Sequence, residues 1–367
     1  MKKILKLILL ALNVAALVLM LGSTMAGVTT PSRFLAFSFL GYGYLYFLIA
    51  NVAFVFIWLF MSSRWFLLPL AGIVARCVFL PLYFQVGGTE AMPNGPERPQ
   101  DAVRLLTFNV HHFQGVEFRR ELADSNMLLF LDMVDSVQPD VLTLQEYVGH
   151  GDTVPLTERL RERGYIYQAS GYSSGSMTGE VIFSKLPMLG AAHVKEPTIQ
   201  YADLLWMDDT LRVFCIHLSS YGLDASDHQQ LHDIKHGNVD NTTGRGTYHK
   251  FRETILEHEE EWQRLEPLWR ARRHRTLVAG DFNDPPASYF YQQCRKLLND
   301  SYREAGQGFS TTYHGTFTRR RNAIFPAFRI DMVLHSPDMR AVAYRRIKSE
   351  ISDHYPVVAE IRMCDTQ

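Results

Sequence analysis

The first 86 residues contain no Asp or Glu, and three apolar blocks fill them. Leu7–Leu21 is interrupted only by Asn13, Phe34–Met61 carries Asn51 inside it, and Phe66–Phe84 has Arg76 near its centre. Runs of this length match the ~20 residues a helix needs to cross a bilayer, the first only when Ile4, Leu5 and the small residues after Leu21 are counted. The expectation is a membrane anchor over residues 1–86 with about three transmembrane helices. The first block has a second reading as a cleaved signal peptide, since Lys2 and Lys3 precede it and Gly22, Ser23, Thr24 and Ala26 follow. Arg76 is the weak point of the third block. An arginine at mid-membrane costs about 2.5–3.5 kcal/mol on insertion scales, so it must face another helix or reach the interface.

Flanking charge sets direction. Lys2, Lys3, Lys6 and Arg64 mark cytoplasmic ends, and Arg33 alone lies in the opposite loop. Three spans then place the rest of the chain on the extracytoplasmic side of the cell membrane, and cleavage of the first segment gives the same side. Of the 37 basic residues six lie in the anchor, which leaves 31 against all 38 acidic ones, a balance of −7. An acidic domain lacks the basic face that non-specific binding along a nucleic-acid backbone requires. Cys77, Cys215, Cys294 and Cys364 show no paired spacing, so neither a disulfide framework nor a zinc site is indicated.

Gly87, Gly88, Pro93, Gly95, Pro96 and Pro99 make residues 87–101 a linker, and a globular domain is expected over 102–367. Apolar runs predict strands at Val103–Phe108, Val141–Leu144, Glu180–Phe183, Ile199–Trp206, Leu211–Ile216, Thr276–Ala279, Arg329–Leu334 and Val357–Ile361. Helical patterns fit Arg119–Val137, Pro155–Arg163, Lys250–Arg272 and Ala287–Leu298. Short strands interleaved with helices predict a mixed α/β domain with packed sheets.

Polar residues collect at the strand ends. Asn109 follows LLTF, Glu146 follows VLTLQ, His217 follows VFCI, Asp281 and Asn283 follow LVAG, and Asp353-His354 precede YPVV. Any one of these is ordinary strand-end polarity. Together they form an oxygen-rich set suited to Mg2+ or Mn2+, with two histidines for proton transfer. Asp331 is harder to place, because it stands among Ile330, Met332, Val333 and Leu334 in an apolar strand. A buried carboxylate is costly unless something holds it, and His354 is the expected partner.

The segments TFNV (107–110), LQE (144–146), GEVIFSKLPM (179–188), HL (217–218), GDFND (280–284), RID (329–331) and SDHYPV (352–357) occur in the order found in the endonuclease/exonuclease/phosphatase superfamily. The chain resembles that superfamily, whose fold is shared by DNase I-like nucleases, inositol polyphosphate phosphatases and neutral sphingomyelinases, and its layout is similar to the membrane-anchored bacterial branch. The resemblance implies a four-layer α/β sandwich with the site where strand ends converge. It implies Glu146, Asn109 and Asp353 as ligands of Mg2+ or Mn2+, and Asp281 as the group that orients or deprotonates the attacking water. Asn283 would hold a phosphate oxygen, His217 the phosphate or leaving oxygen, and His354, fixed by Asp331, would assist proton transfer. The implied activity is hydrolysis of a phosphoester.

Two features lie outside these motifs. His228, His232 and His236 fall at helical spacing beside Asp233 and His249 and read as a solvated helix and loop or as a second metal site. Arg319, Arg320 and Arg321 form a loop that reads as an anionic head-group contact or as an exposed turn. Tethering and the acidic balance favour lipid or small phosphoester substrates over nucleic acid. A surface nuclease and a catalytically silent binding module on the membrane are the alternatives.

Overall fold

The computed structural model describes residues 2–88, 95, 97–116, 119–148, 155–172, 178–194, 199–222, 245–315 and 328–364. The chain forms two compact units, Met1–Phe84 with Asp284–Cys294, and Gln85–Asn283 with Arg295–Gln367.

In the first unit α1 (Lys2–Ser23) is long and apolar enough to cross a membrane. The second apolar block is not one straight helix. Gly43 ends α2 (Leu35–Tyr42) and starts α3 (Tyr44–Phe60), with a bend of 65° between them. The third block stops sooner. Its helix α4 (Leu67–Ala75) ends at Arg76, and a 3-10 segment, Cys77–Leu82, follows with Pro81 inside it. Pro81 has no N–H to donate and cannot continue an α-helix there. About three transmembrane helices were expected, and the described residues hold one, or two if the bent pair counts as a single span. The two asparagines that interrupt the apolar blocks are both used between helices. Asn13 Oδ1 accepts from Trp58 Nε1 at 3.0 Å, and Asn51 Nδ2 donates to the Ala16 carbonyl at 3.0 Å. Such bonds tie α1 to α3 through polar groups set among apolar side chains. The short helix Tyr289–Cys294 belongs to this unit and is shorter than the predicted Ala287–Leu298. Gln293 Nε2 donates to the Gly27 carbonyl at 3.0 Å, and the Tyr42 hydroxyl donates to Asp284.

The second unit is built on strands β1 (Ala102–Asn109), β2 (Val141–Val148), β3 (Tyr167–Tyr172), β4 (Thr178–Ser184), β5 (Met188–Val194) and β6 (Ile199–Trp206). These continue as β7 (Asp209–His217), β8 (Arg275–Asp281), β9 (Asn299–Asp300), β10 (Asp331–His335), β11 (Met339–Arg346) and β12 (Val357–Met363). Two six-stranded sheets result, in the orders β11-β12-β1-β2-β4-β3 and β9-β10-β8-β7-β6-β5. Alternate residues of each strand face the other sheet. Val103, Leu105, Val141 and Ile182 from one, with Val213, Cys215, Leu277, Ala279 and Val333 from the other, fill the space between.

Residues of the opposite parity face helices. Leu106, Phe108, Leu142 and Leu144 pack under α5 (Ala123–Val137), through Met127, Phe130 and Leu131, and under α6 (Leu156–Glu162), through Leu156 and Leu160. On the far side Phe214 meets Trp269 of α7 (Arg245–Arg270) edge-on, ring centroids 6.1 Å apart. The layers are helix, sheet, sheet, helix, as expected for a DNase I-like sandwich.

Candidate active site

The inward parity of the strands positions the site. β7 and β8 run parallel and β8 and β10 antiparallel, so that His217, Asp281 and Asp331 stand in one row across the second sheet. Their inward neighbours one step back are Cys215, Ala279 and Val333, all in the inter-sheet core. The row is where the sandwich interior changes from apolar to charged. Gly280 permits the close approach of β7 and β8 there. Its φ is +146°, and an added Cβ would stand 2.0 Å from the Ile216 carbonyl oxygen.

Across from this row, β1 ends at Asn109 on the same inward parity. Glu146 reaches the site by another device. The pairing of β2 with β4 slips between Leu144 and Tyr147, and Glu146 takes a left-handed φ of +53°. Leu144 and Tyr147 both pack on the helical side, so the irregularity frees Glu146 to turn toward the strand ends.

Hydrogen bonds join these residues. Asn109 Nδ2 donates to Glu146 Oε1 and to Asp281 Oδ2, both at 3.0 Å, while its Oδ1 accepts from the His111 N–H. In this orientation Asn109 bridges two carboxylates through its nitrogen, and ligation through Oδ1 requires the amide to turn over. Asp281 Oδ1 accepts from the Asn283 N–H at 2.8 Å, and Asn283 Nδ2 is tied to the Leu218 carbonyl. Asp331 Oδ2 accepts from His354 Nδ1 at 2.9 Å, which is the partner its burial demands. Ser352 Oγ bonds the Asn109 carbonyl at 2.7 Å and stands 3.3 Å from Asp353, linking the SDHYPV segment to β1.

A second histidine–carboxylate pair was not foreseen. His217 Nδ1 lies 3.6 Å from Glu180 Oε1, and Glu180 is buried within β4. Both imidazoles have their pKa raised by the surrounding carboxylates. Burial opposes the charge of His217, but Glu180, Asp281 and Glu146 together raise its pKa to about 9. His354 is lifted well above the usual range by Asp331 and Asp281 against the same opposing burial. Burial pushes Glu146 up, and His217 with the Asn109 bond outweighs it, leaving the carboxyl below its ordinary value. Asp281 is raised by burial and Asp331, against the pull of His354 and His217.

The facing groups leave room between them. His217 Nε2 is 3.7 Å from Glu146 Oε1 and 3.8 Å from Asp281 Oδ2, and His354 Nε2 is 3.6 Å from Asp281 Oδ2. These separations exceed a hydrogen bond. His217 Nε2 is buried and has no hydrogen-bond partner among the described residues. A buried donor left this way invites an oxygen of a ligand. The carboxylates beside it are hard oxygen donors of the kind that hold Mg2+ or Mn2+. Donor atoms of Asp281, Asp331 and His354 also lie within 4.8 Å of one another. The Asp331–His354 hydrogen bond already engages two of them, so Glu146 is the better seat for a cation.

All eight of the residues expected to act as ligands or catalysts therefore sit at one end of the sandwich: Asn109, Glu146, His217, Asp281, Asn283, Asp331, Asp353 and His354. Arg319–Arg321 and the segment with His228, His232 and His236 lie outside the described residues. Residues beyond the expected set also reach the site. Tyr313 stacks edge-on against His354 at 5.1 Å, and its hydroxyl pKa is raised by burial and by the nearby carboxylates. His111 Nδ1 is 3.3 Å from Asp353 Oδ1, and His112 Nε2 is 3.8 Å from Glu146 Oε2. Burial holds the His112 pKa below the ordinary value.

Compared with known proteins, residues 4–83 match a family described as a domain of unknown function. No curated protein matches. Among solved structures, an endonuclease/exonuclease/phosphatase from Beutenbergia cavernae DSM 12333 is 19% identical, with 72% of each chain covered and a TM-score of 0.52. The human Nocturnin catalytic domain with bound sulfate anion is 16% identical, with a TM-score of 0.49 over 74% of this chain and 97% of that one. A humanized D. rerio TDP2 is 14% identical, with a TM-score of 0.48 over 72% of this chain and all 100% of that one. The first of these likenesses is one of fold. Membership rests on the family model, which matches residues 106–354 and so runs from the inward strand that ends in Asn109 to His354 itself: the chain belongs to the endonuclease/exonuclease/phosphatase family.

Proposed function

We propose that the protein is a divalent-metal-dependent phosphoester hydrolase tethered to a membrane, acting on lipid head-group or small phosphoesters. The observation that carries this reading is the pair of histidines, each backed by a buried carboxylate, facing Glu146 and Asp281 across gaps of 3.6–3.8 Å. Glu146, with Asp353 and Asn109 as further candidate ligands, would hold a divalent cation that, when bound, would supply positive charge against the phosphate oxygens. Asp281 orients the attacking water and accepts its proton. His217 and His354 present N–H groups to the phosphate as negative charge moves onto its oxygens, and one of them protonates the leaving oxygen. Asp331 and Glu180 fix the ring orientations and keep both imidazoles charged. Asn283, its backbone tied to Asp281, contacts a phosphate oxygen.

The test uses the full-length protein against three substrate classes: phospholipid head groups, small phosphoesters and plasmid DNA. Activity should require Mg2+ or Mn2+ and disappear with EDTA, and Glu146→Gln should weaken metal binding as well as rate. Unchanged turnover in chelator would remove the mechanism. Plasmid nicking at nanomolar enzyme with no cleavage of the other two classes would make the protein a nuclease.

The tether reading is supported by α1, and its Lys2, Lys3 and Lys6 flank favours a cytoplasmic N-terminal end. The proposed placement of the catalytic unit is extracytoplasmic, reached by α1 alone while the bent pair of α2 and α3 does not cross. A reporter fused after Gln85 should be active outside. Activity inside would mean that the bent pair crosses as a second span.

A further inference from the structure

The turn after β1 is unusual in its backbone. His111, His112 and Phe113 are three successive non-glycine residues with φ of +42°, +54° and +59°. The left-handed region disfavours L-residues, so the surroundings must enforce it. They do so from both ends. The Val110 N–H donates to the Gln145 carbonyl, Phe113 N to the Val110 carbonyl at 2.7 Å, and Gly115 N to the Ile351 carbonyl at 3.1 Å. Asn126 Nδ2 caps the Phe113 carbonyl at 2.7 Å, and the Phe113 ring is buried against Phe130 at 5.5 Å. The consequence of this locked turn is the direction of two imidazoles, one toward each proposed carboxylate ligand.

The two are not equivalent. His111 Nδ1 lies 3.1 Å from the Gly115 carbonyl, which can only accept, so that nitrogen carries the proton and has no lone pair for a metal. Its role toward Asp353, 3.3 Å away, is to donate. His112 points Nε2 at Glu146 Oε2, 3.8 Å away, on the oxygen that Asn109 does not use. The two atoms are too far apart for a hydrogen bond and lie within the span of two ligand atoms each about 2.1 Å from one cation. The separation therefore suits a shared ion.

We propose that His112 Nε2 joins Glu146 as a ligand of the divalent cation, so that the site prefers Mn2+ to Mg2+. The inference rests on Glu146 being the seat of the cation. Mg2+ favours oxygen ligands and retains its waters, whereas Mn2+ stands higher than Mg2+ in tolerance for an imidazole nitrogen. One nitrogen in an otherwise oxygen-lined site shifts the balance between the two ions without excluding either.

The test reads binding, not turnover. Full-length protein stripped with EDTA is titrated with Mn2+ by electron paramagnetic resonance, Mg2+ is added in competition, and pulsed measurements look for modulation from a directly bound 14N. The wild type should show it. His112→Asn keeps the turn, because asparagine tolerates the left-handed region, and should lose both the 14N signal and at least about tenfold of the Mn2+/Mg2+ preference. His111→Asn should retain both. Absence of 14N modulation in the wild type, or an unchanged ion preference in His112→Asn, overturns the proposal. Glu146→Gln separates the two levels: lost Mn2+ binding there with no effect of His112→Asn rejects only the histidine, whereas retained tight binding rejects Glu146 as the seat.

Discussion

Replacing either Asp331 or His354 with alanine is expected to lower kcat/KM by roughly 10²–10³-fold, and replacing both should cost little more than the worse of the two. The reason is the 2.9 Å bond between Asp331 Oδ2 and His354 Nδ1. Asp331 touches no substrate in the proposed mechanism. It fixes the orientation of the His354 ring, so that Nε2 faces Asp281 and the phosphate, and it favours the protonated form. Once the ring is gone, the carboxylate has nothing to orient. Asp331→Asn provides the control for folding, since it preserves volume and removes the charge. It should fall in rate with a thermal transition near that of the wild type. Additive losses in the alanine cycle would show that the two residues act independently and that the pairing has no catalytic meaning.

Arg104→Met should be the most damaging single change for stability. Arg104 is fully buried in β1 on the helical side, with Nε 2.7 Å from Glu360 Oε1 of β12, and Glu360 is only 3% exposed. The guanidinium also bonds the Val137 carbonyl at the end of α5, and the backbone N–H of Arg104 is held by Asp140. Deleting the cation strands a carboxylate in the interior, at a cost of about 3–5 kcal/mol, or on the order of 10 °C in Tm. Arg104→Met with Glu360→Met should recover much of that loss, because a dry apolar pair of similar volume tolerates burial better than a lone charge. A single variant that melts with the wild type, or a double variant no better than the single, would show that water reaches the pair.

The eight predicted strands are the eight interior strands of the two sheets, and the four missed ones, β3, β5, β9 and β11, are the four edges. The reason is physical. An interior strand is packed on both faces or paired on both sides and must be apolar over most of its length. An edge strand has one neighbour, and YQASGY, MLGAAHV and MRAVAYRR show correspondingly mixed patterns. The site was legible for a related reason: an ionisable residue on the inward parity of an apolar strand, such as Asp331, is an anomaly that burial rules expose. Glu180 occupies the same kind of position, but the motif around it reads as an ordinary strand until its distance to His217 is known. Glu146 is aimed by a left-handed bulge, and the imidazoles of His111 and His112 by a left-handed turn. No periodicity reports either. Over residues 1–86, hydropathy summed across whole blocks does not register the local breaks at Gly43 and at Arg76 with Pro81.

The short helix Tyr289–Cys294 packs with the N-terminal helices, although it follows Asn283 by only a few residues. The polypeptide accordingly passes between the two units at three places: after Phe84, after Asn283 and after Cys294. A gene cut in the linker severs one of these passages and leaves the other two intact. The remaining fragment would carry the short helix Tyr289–Cys294, with its buried Phe290, Tyr291 and Cys294, without residues 1–84 of the same unit. Residues 1–84 and Asp284–Cys294 form one compact unit, so removing the first part divides that unit.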